Sequence, residues 1–265
     1  MFKARAAVFD EDALNDLRSC ADLVIERANA TKTSLGHHLR DAVAREHIGR
    51  VARRFYTSSL PSLFTERFGT PPALNLSITT VRLQKPDAQT DRVNWHLDFN
   101  FVLDTAPFLV AWTPLEDVGT TRLGLDVCLP GPSATLRPLL DAWARKSTDG
   151  LVLQFGDEEL DDLFGKDNHQ SRTLNLTAGD SAVFDQFVLH RTQNIATATA
   201  LRRSFEFRMV DLSALPAWWH RTPGLYCRPN DGRPDEIDFL IKSANESIRP
   251  IAGAEFDTLD GVVTQ

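Results

Sequence analysis

This 265-residue sequence predicts a mostly-β protein with flanking helices, and three observations carry that expectation. The first third has helical periodicity. From Ala73 onward, short runs of period two follow one another between turn signals. The helices come first and the strands later, without the strand–helix alternation of a doubly wound sheet. One domain over residues 1–265 is expected, with a helical cover at 1–72, a β core at 73–210 and a C-terminal extension at 211–265. Helices would cover an antiparallel sandwich or barrel.

The opening helix is predicted over DEDALNDLRSCADLVIERA, where Leu14, Leu17, Ala21, Val24 and Ala28 recur near helical spacing and Asp10 or Asp12 stands ready as N-cap. A second helix is expected from Ser34 to about Phe68, its arginines and histidines, including His37 and His38, forming a solvated face. Thr70-Pro71-Pro72 stops it, because proline lacks the donor a helix needs. Strands are expected at Ala73–Gln84, Trp95–Leu103, Phe108–Leu115, Leu123–Leu129, Arg172–Leu176, Ser181–Leu189 and Leu201–Val210. The series pauses at 132–171 for a helix (Ser133 to Lys146) and an acidic stretch from Asp157 to Asp162, an insertion long enough to be a lid or a solvated excursion. The tail holds Trp218-Trp219-His220, read as C-terminal packing, and a short helix over DEIDFLIKSANES.

A net charge of −7 argues against a nucleic-acid partner, since neutralising phosphates needs a lysine and arginine surplus on some face. No run approaches the roughly 18 apolar residues of a membrane span, and the first residues turn acidic before a signal-type apolar region forms. Cys20, Cys128 and Cys227 are odd in number and far apart, which is neither a disulfide framework nor a zinc pattern. A cytoplasmic protein acting on a small molecule is expected. Its oligomeric state is not written in the sequence.

Chemistry is concentrated in three places. At Trp95-His96-Leu97-Asp98, strand parity puts His96 and Asp98 on one face and Trp95 and Leu97 on the other. With seven histidines and 25 aspartates in 265 residues, roughly 0.7 His-x-Asp tripeptides are expected by chance, so the motif needs company. His190 supplies it: a Gly179-Asp180 turn launches an apolar strand ending at that histidine. Two histidines and a carboxylate on one side of a metal bind ferrous iron and leave positions open for oxygen and a co-substrate.

The third place is Leu201-Arg202-Arg203-Ser204-Phe205-Glu206-Phe207-Arg208-Met209-Val210, whose alternation is the clearest in the chain. Phe205, Phe207 and Met209 should pack beneath the helices, leaving Arg202, Ser204, Glu206 and Arg208 toward a cavity. An inward arginine is costly without an anion, and its planar fork suits a carboxylate. Arg202 lies one strand and one connection beyond His190, at a distance that suits 2-oxoglutarate. Parity favours Arg202 as the anchor, and a bulge would put Arg203 in its place.

This ordered set resembles the Fe(II)- and 2-oxoglutarate-dependent oxygenases, and in detail their phytanoyl-CoA dioxygenase-like branch. The residues carrying the likeness are Trp95-His96-Leu97-Asp98, Trp112-Thr113-Pro114-Leu115-Glu116-Asp117, Gly124-Leu125 leading to Leu129-Pro130-Gly131-Pro132-Ser133, His190-Arg191-Thr192 and Arg202-Arg203-Ser204. They span roughly Leu76 to Val210. Pro-Gly-Pro-Ser departs from the branch's Pro-Gly-Ser-His and touches no ligand.

The resemblance implies a double-stranded β-helix, the cupin-like jelly roll. It also implies Fe(II) on His96, Asp98 and His190, and 2-oxoglutarate anchored by Arg202 with hydroxyls from Thr192 and Ser204. With O2 as oxidant, 2-oxoglutarate would go to succinate and CO2 while a small organic molecule is hydroxylated. Asp98 stands where related halogenases have a small residue, which speaks against halogenation. Arg82, Gln84 and Arg208 are candidate substrate contacts, and inward arginines favour an anionic substrate. Two rivals remain: the same iron core driving desaturation, cyclisation or epimerisation, and a jelly-roll binding protein with a vestigial or zinc-loaded site.

Overall fold

The computed structural model describes residues 2–31, 37–38, 45–86, 92–98, 105–130, 141–142, 154–216, 219, 224–233 and 235–251. In chain order the N-terminal part contains β1 (Phe2–Arg5), α1 (Glu11–Thr31), β2 (His37–His38), α2 (Arg45–Thr57) and α3 (Leu60–Phe68). Then come β3 (Ala73–Asn75), β4 (Thr80–Gln84), β5 (Phe108–Pro114), β6 (Leu125–Pro130), α4 (Asp157–Phe164) and β7 (His169–Thr173). The remainder is β8 (Ser181–Phe184), β9 (His190–Thr192), β10 (Arg202–Val210), β11 (Gly224–Pro229), β12 (Ile237–Lys242) and β13 (Arg249–Pro250).

Strand β10 organises the molecule. It lies antiparallel to β5 along its length on one side, and on the other its first half pairs with β4 and its end with β3. Around it a ten-stranded sheet runs β1-β8-β5-β10-β3-β11-β12-β13, with β4 and β2 branching from β10. A smaller sheet, β7-β6-β9, faces it and is extended by bridges of His96 to His190 and Trp95 to Phe155. The two antiparallel layers are the jelly roll.

Parity decides what each face buries. Phe205, Phe207 and Met209 are fully buried with Leu17, Val24, Ile48, Val51, Phe55 and Phe64 of the helices, as the alternation predicts. Each such phenylalanine contributes about 1.5–3 kcal/mol of burial. Between the sheets, Phe108, Val110 and Trp112 of β5 meet Leu125 and Val127 of β6. A third cluster covers the outer face of the small sheet, where Trp95, Leu97 and Leu189 pack against Leu160 and Phe164 of α4.

Asp10 is the cap of α1: its Oδ1 accepts the Ala13 amide at 2.8 Å. Asp10→Ala should cost about 1 kcal/mol in a urea melt. The turn before β8 needs its glycine, for Gly179 has φ +89° and its carbonyl accepts the Val8 and Phe9 amides. A Cβ there would lie 2.5 Å from the Phe9 carbonyl oxygen.

Several expected elements take another form. The single helix from Ser34 to Phe68 is β2 followed by α2 and α3, broken where Pro61 enters the first turn of α3. The run Ala73–Gln84 is two strands separated by a turn. The strand expected to carry Ser181 through to His190 stops at Phe184; the chain turns at Asp185, whose side chain accepts the Phe187 amide, and His190 opens β9 in the other sheet. The tail helix is β12, because Phe239 and Ile241 face the helix-side core while Leu240 faces the space between sheets. A strand buried on both faces reads as a continuous apolar run and mimics a helix.

Of the proposed lid, 132–140 and 143–153 lie outside the described residues. In the described part, β7 is the edge strand of the small sheet and α4 packs on that sheet's outer face. Its acids are engaged: Asp157 accepts from Trp95 Nε1 (2.6 Å) and Arg191 Nη1 (2.7 Å), and Asp161 meets His169. Trp219 packs edge-on to Phe108. Trp218, His220 and Phe99 to Leu103 lie outside the described residues, as do the side chains of His37 and His38.

Candidate metal centre

The bridge between His96 and His190, with each backbone N–H donating to the other's carbonyl at 2.9 and 3.1 Å, brings two sequence-distant histidines side by side. Their rings stand 4.2 Å apart. With Asp98 they form a buried group whose ligand atoms all lie within 4.8 Å of one another, alone in that respect among the described residues.

Both rings are oriented by the backbone. His96 Nδ1 lies 2.8 Å from the Asn94 carbonyl and His190 Nδ1 2.9 Å from that of Val188. A carbonyl only accepts, so Nδ1 carries the proton and Nε2 presents its lone pair to a metal. Burial, helped by neighbouring His190, brings the His96 pKa down to about 3, so this imidazole stays neutral.

Asp98 is held from behind. Arg208 Nη1 approaches Asp98 Oδ2 at 3.0 Å, in charge contact without hydrogen-bond alignment. Arg208 Nη2 donates to Glu206 Oε2 at 2.9 Å, and Arg82 Nε donates to Glu206 Oε1 at 2.5 Å. Thr80 Oγ1 also donates to Glu206, at 3.0 Å. Burial pushes the Glu206 carboxyl up, yet the guanidinium groups of Arg82 and Arg208 outweigh it and hold it well below the usual carboxylate range. Four charges thus alternate in sign from Asp98 to Arg82, the first three buried and Arg82 partly accessible.

These groups face a cavity of about 360 Å3, counting the space at its mouth. His96, Asp98, His190, Thr192, Arg202, Arg82 and Glu206 line it, with Trp112 and Phe184 among its apolar walls. Arg202 is 1% exposed and has no carboxylate within ion-pair distance among the described residues. Its Nη1 makes long bonds to the Leu123 and Gly124 carbonyls (3.2 and 3.4 Å), its Nε bonds to nothing, and its guanidinium lies 5.2 Å from the Trp112 ring centre. Desolvation lowers its pKa to about 10. A buried guanidinium with no carboxylate partner among the described residues fits an incoming carboxylate.

The choice between neighbouring arginines follows from parity. Arg203 points toward the helices, where it pairs with Glu116 (2.6 Å) and Asp22 (2.5 Å). Thr192 lines the cavity, its hydroxyl accepting the Val93 amide at 3.3 Å. Ser204 is buried beside Arg202 with an unbonded hydroxyl, outside the cavity wall. Gln84 is the register partner of Arg202 and donates to the Lys85 carbonyl, also away from the wall. Arg208 lies behind Asp98 and outside the wall, not facing substrate space as its parity suggested. The sequence put Glu206 on the cavity-facing side of β10 and Trp112 in the motif that carries the resemblance, but it did not show that Glu206 bridges two arginines or that Trp112 walls the cavity beside Arg202. Their place on the same strand faces as Arg202 and Val110 was the signal available.

No protein-family model and no curated protein matches this sequence. Solved structures match in shape. The non-haem monooxygenase ThoJ, in its apo form, superposes with a TM-score of 0.58 at 14% identity, covering 99% of this chain and 92% of that one. The epimerase SnoN from nogalamycin biosynthesis, in complex with Fe3+, α-ketoglutarate and nogalamycin RO, gives 0.54 at 18% identity over 80% of each chain. EctD from S. alaskensis, with 2-oxoglutarate and 5-hydroxyectoine, gives 0.53 at 15% identity over 80% of this chain and 73% of that one. At these identities the shared property is the jelly-roll fold.

Proposed function

We propose that the protein is a non-haem Fe(II)- and 2-oxoglutarate-dependent oxygenase acting on a small organic molecule, related to the phytanoyl-CoA dioxygenase-like branch. One juxtaposition carries the reading: two Nδ1-anchored imidazoles and a carboxylate share a cavity with a buried arginine that has no counter-ion among the described residues. His96 Nε2, His190 Nε2 and Asp98 would hold the metal, and Arg202 the far carboxylate of 2-oxoglutarate, with Thr192 lining the space between. Bound together, Fe(II) and 2-oxoglutarate supply the oxidation of a substrate C–H bond by O2, with release of succinate and CO2.

The chain's own contribution is positional. Backbone carbonyls fix both imidazole tautomers, and the Arg208 guanidinium holds a charge contact with one oxygen of Asp98. The apolar walls keep water from the reacting atoms.

Anaerobic Fe(II) with 2-oxoglutarate should give the weak visible charge-transfer band of the chelate, and oxygen should then release succinate. Absence of both would refute the assignment. Removing Arg202 breaks a buried charge-assisted pair, so Arg202→Ala should raise the 2-oxoglutarate needed to half-saturate that band by at least about thirtyfold. Arg203→Ala should shift it by less than about threefold, since Arg203 is engaged elsewhere.

Hydroxylation is the expected outcome, and a product heavier by one oxygen identifies it. The likeness in shape to an epimerase supports a second reading in which the same core rearranges hydrogen without adding oxygen. Product mass separates the two.

A further inference from the structure

We propose that the cavity takes a substrate bearing a single carboxylate and that Arg82 is the residue that recognises it; this rests on the assignment of Fe(II) and 2-oxoglutarate made above. Arg82 stands on β4 opposite Ser204, between the register positions of Arg202 and Glu206, and lines the cavity. Its Nε is taken by Glu206. A guanidinium carries five N–H donors, and those on the Nη atoms have no partner among the described residues, while a quarter of the side chain remains accessible. Glu206 therefore fixes the plane of the fork and turns its outer edge to the cavity. That edge matches a carboxylate end-on.

Charge counting points the same way. Arg82, Arg202 and Arg208 stand against Asp98 and Glu206, which leaves one positive charge in the described wall and its backing. A divalent metal and the 2-oxoglutarate dianion cancel one another. The co-substrate's carboxylates are also accounted for, one at the metal and one at Arg202. The surplus charge belongs to Arg82, and it admits a monoanion. A phosphate dianion would bring its second charge against Glu206, which lines the same space.

The experiment is anaerobic calorimetry on the full chain loaded with Fe(II) and 2-oxoglutarate, using benzoate, benzamide and phenyl phosphate as probes. Benzoate should bind at least about tenfold more tightly than benzamide, and more tightly than phenyl phosphate. Arg82→Gln should weaken benzoate by at least about tenfold, while the 2-oxoglutarate dependence of the chelate band moves by less than about threefold. If that variant fails to fold with Glu206 left unpaired, the double variant Arg82→Met/Glu206→Gln removes both charges together and carries the same expectation. Four results would overturn the proposal. They are benzamide binding as tightly as benzoate, phenyl phosphate binding more tightly, no benzoate uptake by the wild type, or an Arg82 variant that weakens 2-oxoglutarate as much as benzoate. Failure of the chelate band in the wild type is a different outcome: it removes the oxygenase assignment itself and, with it, the charge count.

Discussion

Asp98→Ala is expected to abolish iron binding and turnover together while leaving a folded protein. Asp98 is the only anionic member of the three-residue set, and the two imidazoles alone offer a divalent ion no charge. The loss should exceed the roughly 10- to 100-fold that removing a residue behind a metal ligand costs. The fold should survive, because Arg208 keeps its ion pair with Glu206 when Asp98 is gone. Elemental analysis after anaerobic loading, with the chelate band as a second readout, measures the effect. A variant that kept stoichiometric iron and produced succinate would refute the ligand assignment. The same variant tests the binding-protein alternative: a binder would keep its affinity for a small molecule and have no turnover to lose.

The other large effect is on stability. Glu206→Ala should destabilise the protein by about 3–5 kcal/mol, because it leaves Arg82 and Arg208 facing one another without the carboxylate that both of them contact. That is a large share of the roughly 5–15 kcal/mol by which a typical domain is stable. Urea unfolding of the metal-free protein reads the loss directly, and a change under about 1 kcal/mol would contradict it. The pH dependence has a definite sign. Glu206 is held ionised in the fold below the ordinary carboxylate range, so between about pH 4.5 and its lowered folded value the unfolded chain binds the extra proton. Its stabilising contribution is fully present above pH 4.5 or so and fades as the pH falls through the folded value. Glu206→Gln should therefore flatten the acid limb of the wild-type stability curve.

Local pattern made much of the centre legible. Period-two alternation put His96 with Asp98, separated Trp95 and Leu97 from them, and divided β10 into a phenylalanine face and an arginine face, each as observed. Pattern was weakest where a strand is buried on both sides, as in β12, or where one apolar run serves two sheets, as from Ser181 to His190. In the first case alternation vanishes. In the second a turn at Asp185, invisible to hydrophobic period, reassigns the histidine to the opposite layer. The charge relay behind the metal ligands was illegible for another reason: Arg82 and Glu206 meet across 124 residues, and nothing local encodes that pairing. Arg208 accordingly read as a cavity residue when its partner is Asp98.

The order of strands in the large sheet has a consequence for how the protein comes into being. Its outer rows are made by β1, the first strand of the chain, and β13, the last described one, while β10 lies in the middle. On a ribosome β1 emerges long before β8, its neighbour, is synthesised, and must wait unpaired for most of translation. The central rows of hydrogen bonds close only once β10 has emerged, a distant-contact topology that folds slowly. Until then the centre of the sheet is exposed on strands that readily pair with other chains.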